Sequence, residues 1–326
     1  MLALVTGATG FVGANIAIAL VSRGDTVRVL RRSTSRLDAL ADLPVEYVTG
    51  DLLDPDSLRQ AMIGCDVVFH VAALSQYWRT NTETIYRVNV DGTRHVMEAA
   101  LAAGVGRVVY TSSVASLGIP SPGQMLDETA SYPDDQTWFV YGHSKHLAEL
   151  EVQQAVERGL PAVIVNPGIV IGPRDINFVS GSIIRASAKG QLRVVPPGGS
   201  NIVHVADVVA GQLAAAERGR VGERYILGGE NLSHWDAAVI ASSVTGGPGP
   251  LLILPSRSLN PLAGLVDAFN RLSRQSPLVI GQQIRLSGVD IYADSSKAIR
   301  ELGLPQTPFR QAAQDAFDWY RQNNLL

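Results

Sequence analysis

Tyr141-Gly142-His143-Ser144-Lys145 sets a phenol and an ammonium four residues apart, on one face of a helix that carries them. Such a pair can move a proton. A free phenol, with a pKa of about 10, is a poor proton carrier at neutral pH, and a nearby cation favours the phenolate. The spacing alone arises by chance in many helices, but its setting adds weight. An apolar run at Arg107–Thr111 leads into Ser112-Ser113. A hydroxyl at the carboxyl end of a parallel strand faces the crevice where ligands bind. Ser113 there can hydrogen-bond a carbonyl oxygen and stabilise the negative charge that grows on it.

A second constellation opens the chain, in Thr6-Gly7-Ala8-Thr9-Gly10-Phe11-Val12-Gly13. Without a Cβ, Gly7, Gly10 and Gly13 let the chain turn tightly, bring backbone N–H groups to a pyrophosphate and pack a helix close to a strand. The helix N-terminus adds partial positive charge. The spacing is Gly-x-x-Gly-x-x-Gly rather than Gly-x-Gly-x-x-Gly. This reads as a nicotinamide dinucleotide site, where Lys145 can also hold the nicotinamide ribose hydroxyls. Glycines serving only a tight turn are the plainer alternative. At the end of the second apolar run stand Arg31-Arg32-Ser33 and no acid. Arginine grips a 2′-phosphate bidentately, whereas an acid would hold ribose hydroxyls. The expected cofactor is therefore NADP, with NAD as the alternative if both arginines are only solvated. Asp51 either meets the adenine or begins an Asp-x-x-Asp-Pro turn as a cap.

The elements that must position these groups alternate. Strands are expected at about Leu2–Thr6, Thr26–Arg31, Val45–Thr49, Val67–Val71, Arg107–Thr111 and Ala162–Asn166, as the nearly continuous apolar runs of strands buried on both faces. Helices are expected near Phe11–Arg23, Pro55–Met62, Thr82–Ala103 and Trp138–Arg158, with glycine exits at Gly24, Gly104 and Gly159. The pattern predicts an α/β fold, a doubly wound parallel sheet of the Rossmann type. Residues 1–166 form the dinucleotide-binding domain, with segments near 201–230 returning to it. Residues 167–326 form mainly a smaller, interleaved substrate lobe.

Composition sets the outer bounds. Hydrophobic residues make up 46% and charged residues 17% of 326, with a net charge of -3. Nothing in that balance points to nucleic acid or a polybasic anchor. Cys65 is the single cysteine, so disulfide frameworks and thiolate clusters within the chain are excluded. The histidines show no paired spacing with acids, so no metal is expected. No run reaches the roughly 18–20 apolar residues that span a bilayer. No signal peptide is visible, and a cytoplasmic protein is expected.

The glycine turn, Gly50-Asp51-Leu52, His70-Val71-Ala72-Ala73, Asn89-Val90-Asp91-Gly92-Thr93, the serine pair, Tyr141…Lys145, Asn166-Pro167-Gly168 and Val203-His204-Val205-Ala206-Asp207 stand in the order of one family. The chain resembles an extended short-chain dehydrogenase/reductase, nearly end to end. Arg87-Val88-Asn89-Val90, Val109–Ala115, Ile226–Leu232 and Asp294–Ala298 make it similar to the dihydroflavonol-reductase-like branch and to hopanoid-associated sugar epimerases. The resemblance implies Tyr141 as general acid/base and Lys145 as its partner. Counting back from Gly118 selects Ser113 over Ser112 as the carbonyl binder, and Arg32 ranks above Arg31 at the 2′-phosphate. It further implies a cofactor surface of Thr9, Phe11, Val12, Leu52, Ala72, Ala73, Asn166, Pro167, Gly168 and Val170, and an architectural role for Asn89.

The implied activity is NADP-dependent reduction of a carbonyl on a small or medium, partly apolar molecule. A nucleotide-sugar epimerase retaining NAD is the alternative, favoured by Asn166, which matches an asparagine that contacts the nucleotide diphosphate. A dehydratase fits less well, because Val114-Ala115 stand where that branch has Asp-Glu. A silent redox sensor would be expected to lack the tyrosine or the lysine. Among substrate candidates, Tyr77 and Trp78 either stack on substrate or pack between lobes. His204 is more a core histidine than a catalytic one, and Asp207 is expected to cap the next helix. Trp138 and Phe139 are expected mainly to pack. Leu251–Leu272 reads as a lid, an interface or a membrane contact. Oligomeric state is left open by the sequence, and the resemblance is compatible with a two-fold homodimer through the long helices.

Overall fold

The computed structural model describes residues 1–41, 43–75, 80–272 and 280–326, with side chains 271 and 272 set aside. In the first half, β1 (Leu2–Thr6), α1 (Phe11–Ser22), β2 (Thr26–Arg31), β3 (Glu46–Thr49), α2 (Pro55–Met62), β4 (Val67–His70), α3 (Thr82–Tyr86), α4 (Gly92–Ala103), β5 (Arg107–Thr111), α5 (Val140–Glu157) and β6 (Ala162–Pro167) follow in order. Local chemistry fixes the boundaries. Asp54 caps α2 by accepting from Asp56 N and Ser57 N, and Gly104 ends α4 at φ 66°.

Seven parallel strands form the central sheet in the order β3-β2-β1-β4-β5-β6-β10, the last being Arg224–Leu227. The chain leaves β1 toward β2 and β3, then crosses back to β4, so a crevice opens at the carboxyl ends between β1 and β4. Alternation along β1 serves both faces. Ala3 and Val5 join the core under α1, whereas Leu4 joins the one under α2, α4 and α5. Thr6, His70 and Tyr110 stand side by side at the crevice end.

The expected single helix at Thr82–Ala103 is interrupted by a π-turn at Arg87–Asp91. The wide turn rotates Asn89 inward. Its Oδ1 accepts from Leu74 N at 2.8 Å, and its Nδ2 donates to Ser144 Oγ at 3.0 Å. Asn89 thus ties the loop after β4 to α5.

The remaining elements are β7 (Ile169–Ile171), α6 (Ser182–Ala188), β8 (Val194–Val195), β9 (Gly199–His204), α7 (Val205–Arg218), β10, β11 (Glu230–Ser233), α8 (His234–Thr245), β12 (Leu252–Ile253), α9 (Ser256–Leu272), α10 (Gly281–Leu286), β13 (Asp290–Ile291), α11 (Ser296–Leu302) and α12 (Phe309–Gln322). Strand β9 pairs with β7, β11 and β13, and a separate core around Ile171, Ile202, Phe309 and Tyr320 lies beneath. Leu265 and Phe269 of α9 remain exposed. Among the described residues no helix is long and apolar enough to cross a membrane.

Candidate active site

A cleft of about 960 Å³ runs along the carboxyl ends of the sheet, from Arg31 and Arg32 to Ser113, Tyr141 and Lys145. The glycine turn forms its floor. Gly7 has φ +73°, and a Cβ there would lie 2.6 Å from Ala72 N. A Cβ on Gly13 would lie 2.4 Å from Gly7 O. No side chain caps α1 and no acid stands in its first turn, so its N–H groups are left to the cleft. This cradle, with Thr9, Gly10, Phe11 and Val12 along it, suits a pyrophosphate. Beneath it, Thr6 Oγ1 accepts from Ala72 N at 3.3 Å and shares a 2.8 Å hydrogen bond with His70 Nδ1. Burial, helped by the charge of Lys145, holds the imidazole down to about 3, so the ring is neutral.

At the opposite end the wall is built from Arg31, Arg32, Ser35, Asp51, Leu52 and Leu53. Arg31 Nε is buried without a hydrogen-bond partner, and the guanidinium stands 5.8 Å from the Tyr47 ring. Ser33 does not line the cleft. Ser35 does, with its hydroxyl accepting from Arg32 N at 3.1 Å. Asp51 lines the cleft and closes the turn before α2, its Oδ1 accepting from Leu53 N at 2.9 Å, while the cap of α2 is Asp54.

Ser113 follows β5 in an extended conformation and caps the turn Val114–Leu117, its Oγ accepting from Ala115 N at 3.2 Å. The Ser113 side chain also hydrogen-bonds Tyr141 on the first turn of α5. Burial raises the Tyr141 phenol above its ordinary value, and the bond to Ser113 opposes that rise. Lys145 Nζ donates to Thr111 O at 2.7 Å and stands 4.3 Å from the centre of the Tyr110 ring. Burial draws its ammonium down to about 7, against the pull of Glu149. The ammonium is turned to the Thr111 carbonyl, and burial dominates Tyr141.

Ala72, Ala73, Pro167, Gly168 and Val170 also line the cleft. Asn166 does not. Its Nδ2 faces Ser113 O, Ser116 Oγ and Glu149 Oε1 at 3.1, 2.9 and 2.7 Å, in the interior. His204 is likewise away from the cleft, capping α7 through Nδ1 and bonding Asp315 with Nε2 at 3.0 Å. Asp207 is not the cap. It accepts instead from Thr307 N and Oγ1 at 2.7 and 2.8 Å. Phe139 is buried and Trp138 is half exposed. Tyr77 and Trp78 lie outside the described residues. Among the described residues no cluster of three metal-ligating side chains occurs.

Sequence reasoning missed the opposite wall, formed by Asp175, Ile176, Asn177, Val179 and Ser180. The Asp175 carboxylate accepts from Val179, Ser180 and Gly181 N at 3.0, 3.0 and 2.8 Å. The signal available was Gly172-Pro173-Arg174-Asp175, a turn sequence directly after the strand β7. Arg87, Thr84 and Thr80 complete the cleft on the near side.

A parallel sheet with a glycine cradle at its switch point, and a hydroxyl–phenol–ammonium group at the far end, defines an NAD(P)-dependent oxidoreductase of the extended short-chain type. Comparison with known proteins agrees. The chain belongs to the NAD dependent epimerase/dehydratase family, which matches residues 3–228. It is 41% identical to a putative dihydroflavonol 4-reductase from Synechocystis sp., covering 99% of this chain and 95% of that one. It is 37% identical to sterol demethylase protein B from Methylococcus capsulatus, covering 100% of each. The crystal structure of gox2253 superposes with a TM-score of 0.89 at 42% identity, covering 100% of this chain and 99% of that one.

Proposed function

We propose that the chain is an NADP-dependent reductase of a carbonyl on a small or medium, partly apolar molecule, with Ser113, Tyr141 and Lys145 at the reacting end. The cofactor preference rests on one observation. Arg31 and Arg32 line the cleft at the end of β2, the Arg31 Nε is buried and unpartnered, and the chain leaving β2 carries arginines where an acid would hold ribose hydroxyls, the acid on this wall being Asp51 after β3. A guanidinium fork suits a 2′-phosphate, and the Ser35 hydroxyl lies beside it.

When bound, the nicotinamide supplies the hydride. Ser113 holds the carbonyl oxygen, and Tyr141 gives it a proton. The raised phenol suits that direction, because it keeps the proton until the oxygen gains charge. Lys145 uses one N–H on Thr111 O and has further donors for ribose hydroxyls. Partly apolar substrates are supported by the lining, in which Leu74, Ile176 and Val179 mix with Ser75, Thr84 and Ser180. The names of the two relatives, a dihydroflavonol reductase and a sterol demethylase protein, point the same way. Asn166, which would favour a nucleotide-sugar epimerase, is directed at Glu149 instead. The same reading makes this a cytoplasmic enzyme that forms a homodimer through α4 and α5.

The test is to purify the chain, release what cofactor it retains, titrate NADPH and NADH, and offer NADPH with a panel of aromatic and alicyclic ketones. NADPH should exchange freely, bind at least about tenfold more tightly than NADH and be oxidised by part of the panel. Tightly retained NAD, or equal binding of the two cofactors, would overturn it.

A further inference from the structure

Glu149 follows Lys145 by four residues on α5, so both side chains leave one helix face, and they are 0% and 1% exposed. Donors from three other segments meet this carboxylate. Ser116 Oγ and Asn166 Nδ2 reach Oε1 at 2.5 and 2.7 Å, and Arg224 Nε of β10 lies 2.8 Å from Oε2. The Ser113 main-chain carbonyl lies within reach of the same groups, 3.1 Å from the Asn166 amide and 2.7 Å from Ser116 Oγ as an alternative acceptor for its one proton. A buried charge is costly even when paired, and apolar residues of equal volume often fill such space more cheaply.

We propose that Glu149 is a positioning residue acting through Lys145, its negative charge one helical turn away holding that side chain as an ammonium beside Tyr141. This rests on the reading of Lys145 as the partner of Tyr141. Against Lys145 stand the Tyr110 ring and the Thr111 carbonyl, with neutral His70 and Glu149 within reach of its charge. Facing Glu149 are Ser116, Asn166 and Arg224, with His146 and Tyr110 within reach of its charge. Glu149 stands one helical turn from Lys145 on α5, and its charge favours the ammonium. Burial alone would strip the lysine of its proton near neutrality, and Glu149 opposes this. Helix spacing sets the pair on one face, and donors from β6 and β10 keep the acid there.

The chain has three lysines, Lys145, Lys189 and Lys297, so one titration can be followed in cofactor-free protein carrying carbon-13 at lysine Cε. The Lys145 signal is the one absent from Lys145→Arg. It should titrate at about 7 in the wild type. In Glu149→Gln the midpoint should fall by at least about one pH unit, a tenfold loss of proton affinity. The glutamine amide would face the Arg224 guanidinium, so a variant that loses its cooperative thermal transition is replaced by Glu149→Gln/Arg224→Met, where a smaller fall in the same direction is expected because the Arg224 charge leaves with the acid. A Lys145 midpoint that stays in place in either folded variant overturns the proposal. Neither substrate nor cofactor enters this measurement, so it is independent of whether the chain reduces ketones.

Discussion

Lys145 Nζ lies 2.7 Å from the carbonyl oxygen of Thr111, so the one lysine on the wall of the cleft is anchored to the end of the central strand β5. The folded chain holds its proton only up to about 7, against the ordinary 10.5. Between those values the unfolded chain binds more protons than the folded one, so this group makes stability rise with pH across that window. Below it, the full cost of the buried charge is present. Lys145→Met removes that cost. Urea unfolding of both proteins at the two ends of the window should show the variant's relative advantage shrinking as pH rises. A constant difference would mean that Lys145 titrates normally in the folded chain.

His70 acts with the same sign in the acid range. Its ring bonds Thr6 Oγ1 at 2.8 Å and Thr93 Oγ1 at 3.1 Å, and burial holds it down to about 3 from an ordinary 6.5. As pH falls through 6.5 the unfolded chain gains a proton that the folded chain refuses until about 3, so stability falls over that range. His70→Gln should be less stable at neutral pH by about 1–3 kcal/mol, through the broken bonds, yet lose less on acidification. Denaturation midpoints at neutral pH and in mild acid compare the two slopes.

Gly13 tests the cradle. Its missing Cβ leaves room for Gly7 O, which a methyl would approach to 2.4 Å. Gly13→Ala should push α1 off the turn, cost about 1–3 kcal/mol and weaken dinucleotide binding. Gly264→Ala on α9, where a Cβ would meet nothing within 4 Å, is the control and should unfold no earlier than wild type.

Legibility in the sequence followed how local each feature is. Gly7, Gly10 and Gly13 are set by their own turn, and Tyr141 and Lys145 by one helix period, so each group was legible locally, and the parallel sheet brings the two to a single cleft. Asn166 was different. Every residue of β6 is buried, so no polar and apolar alternation says which way its amide points, and Glu149 with Ser116 claimed it. The wall at Asp175–Ser180 depends on Arg174 and Phe178 at φ 78° and 49°, conformations that their residue types do not announce. The π-turn at Asn89 breaks a helical pattern whose hydrophobic period gave no warning.

Arg32 carries the cofactor prediction. It is exposed on the cleft wall, with its N–H on Ser35 Oγ. Charge-assisted bonds to a phosphate contribute about 1.5–3 kcal/mol, so Arg32→Ala should weaken NADPH roughly ten- to hundredfold and leave NADH nearly unchanged. Calorimetric titration of both cofactors decides it. Equal loss for the two would mean that Arg32 acts on the shared part of the dinucleotide.

Tyr141 carries the proton-transfer prediction. Its hydroxyl is held by Ser113, and its phenol is raised by burial, so the protonated form dominates at neutral pH before cofactor enters. Reduction then needs a donor, which this tyrosine is, whereas the reverse oxidation must first remove its proton. Once a substrate is found, reduction should be nearly flat across the neutral range and oxidation should climb with pH. Tyr141→Phe keeps the ring and its packing, so thermal stability and NADPH affinity should stay close to wild type. Turnover should nevertheless fall about 100- to 10,000-fold, the usual contribution of a positioned acid. Ser113→Ala should lose about 100-fold or more through the same oxygen. A Tyr141→Phe enzyme that turns over at the wild-type rate would move the proton donor elsewhere in the cleft.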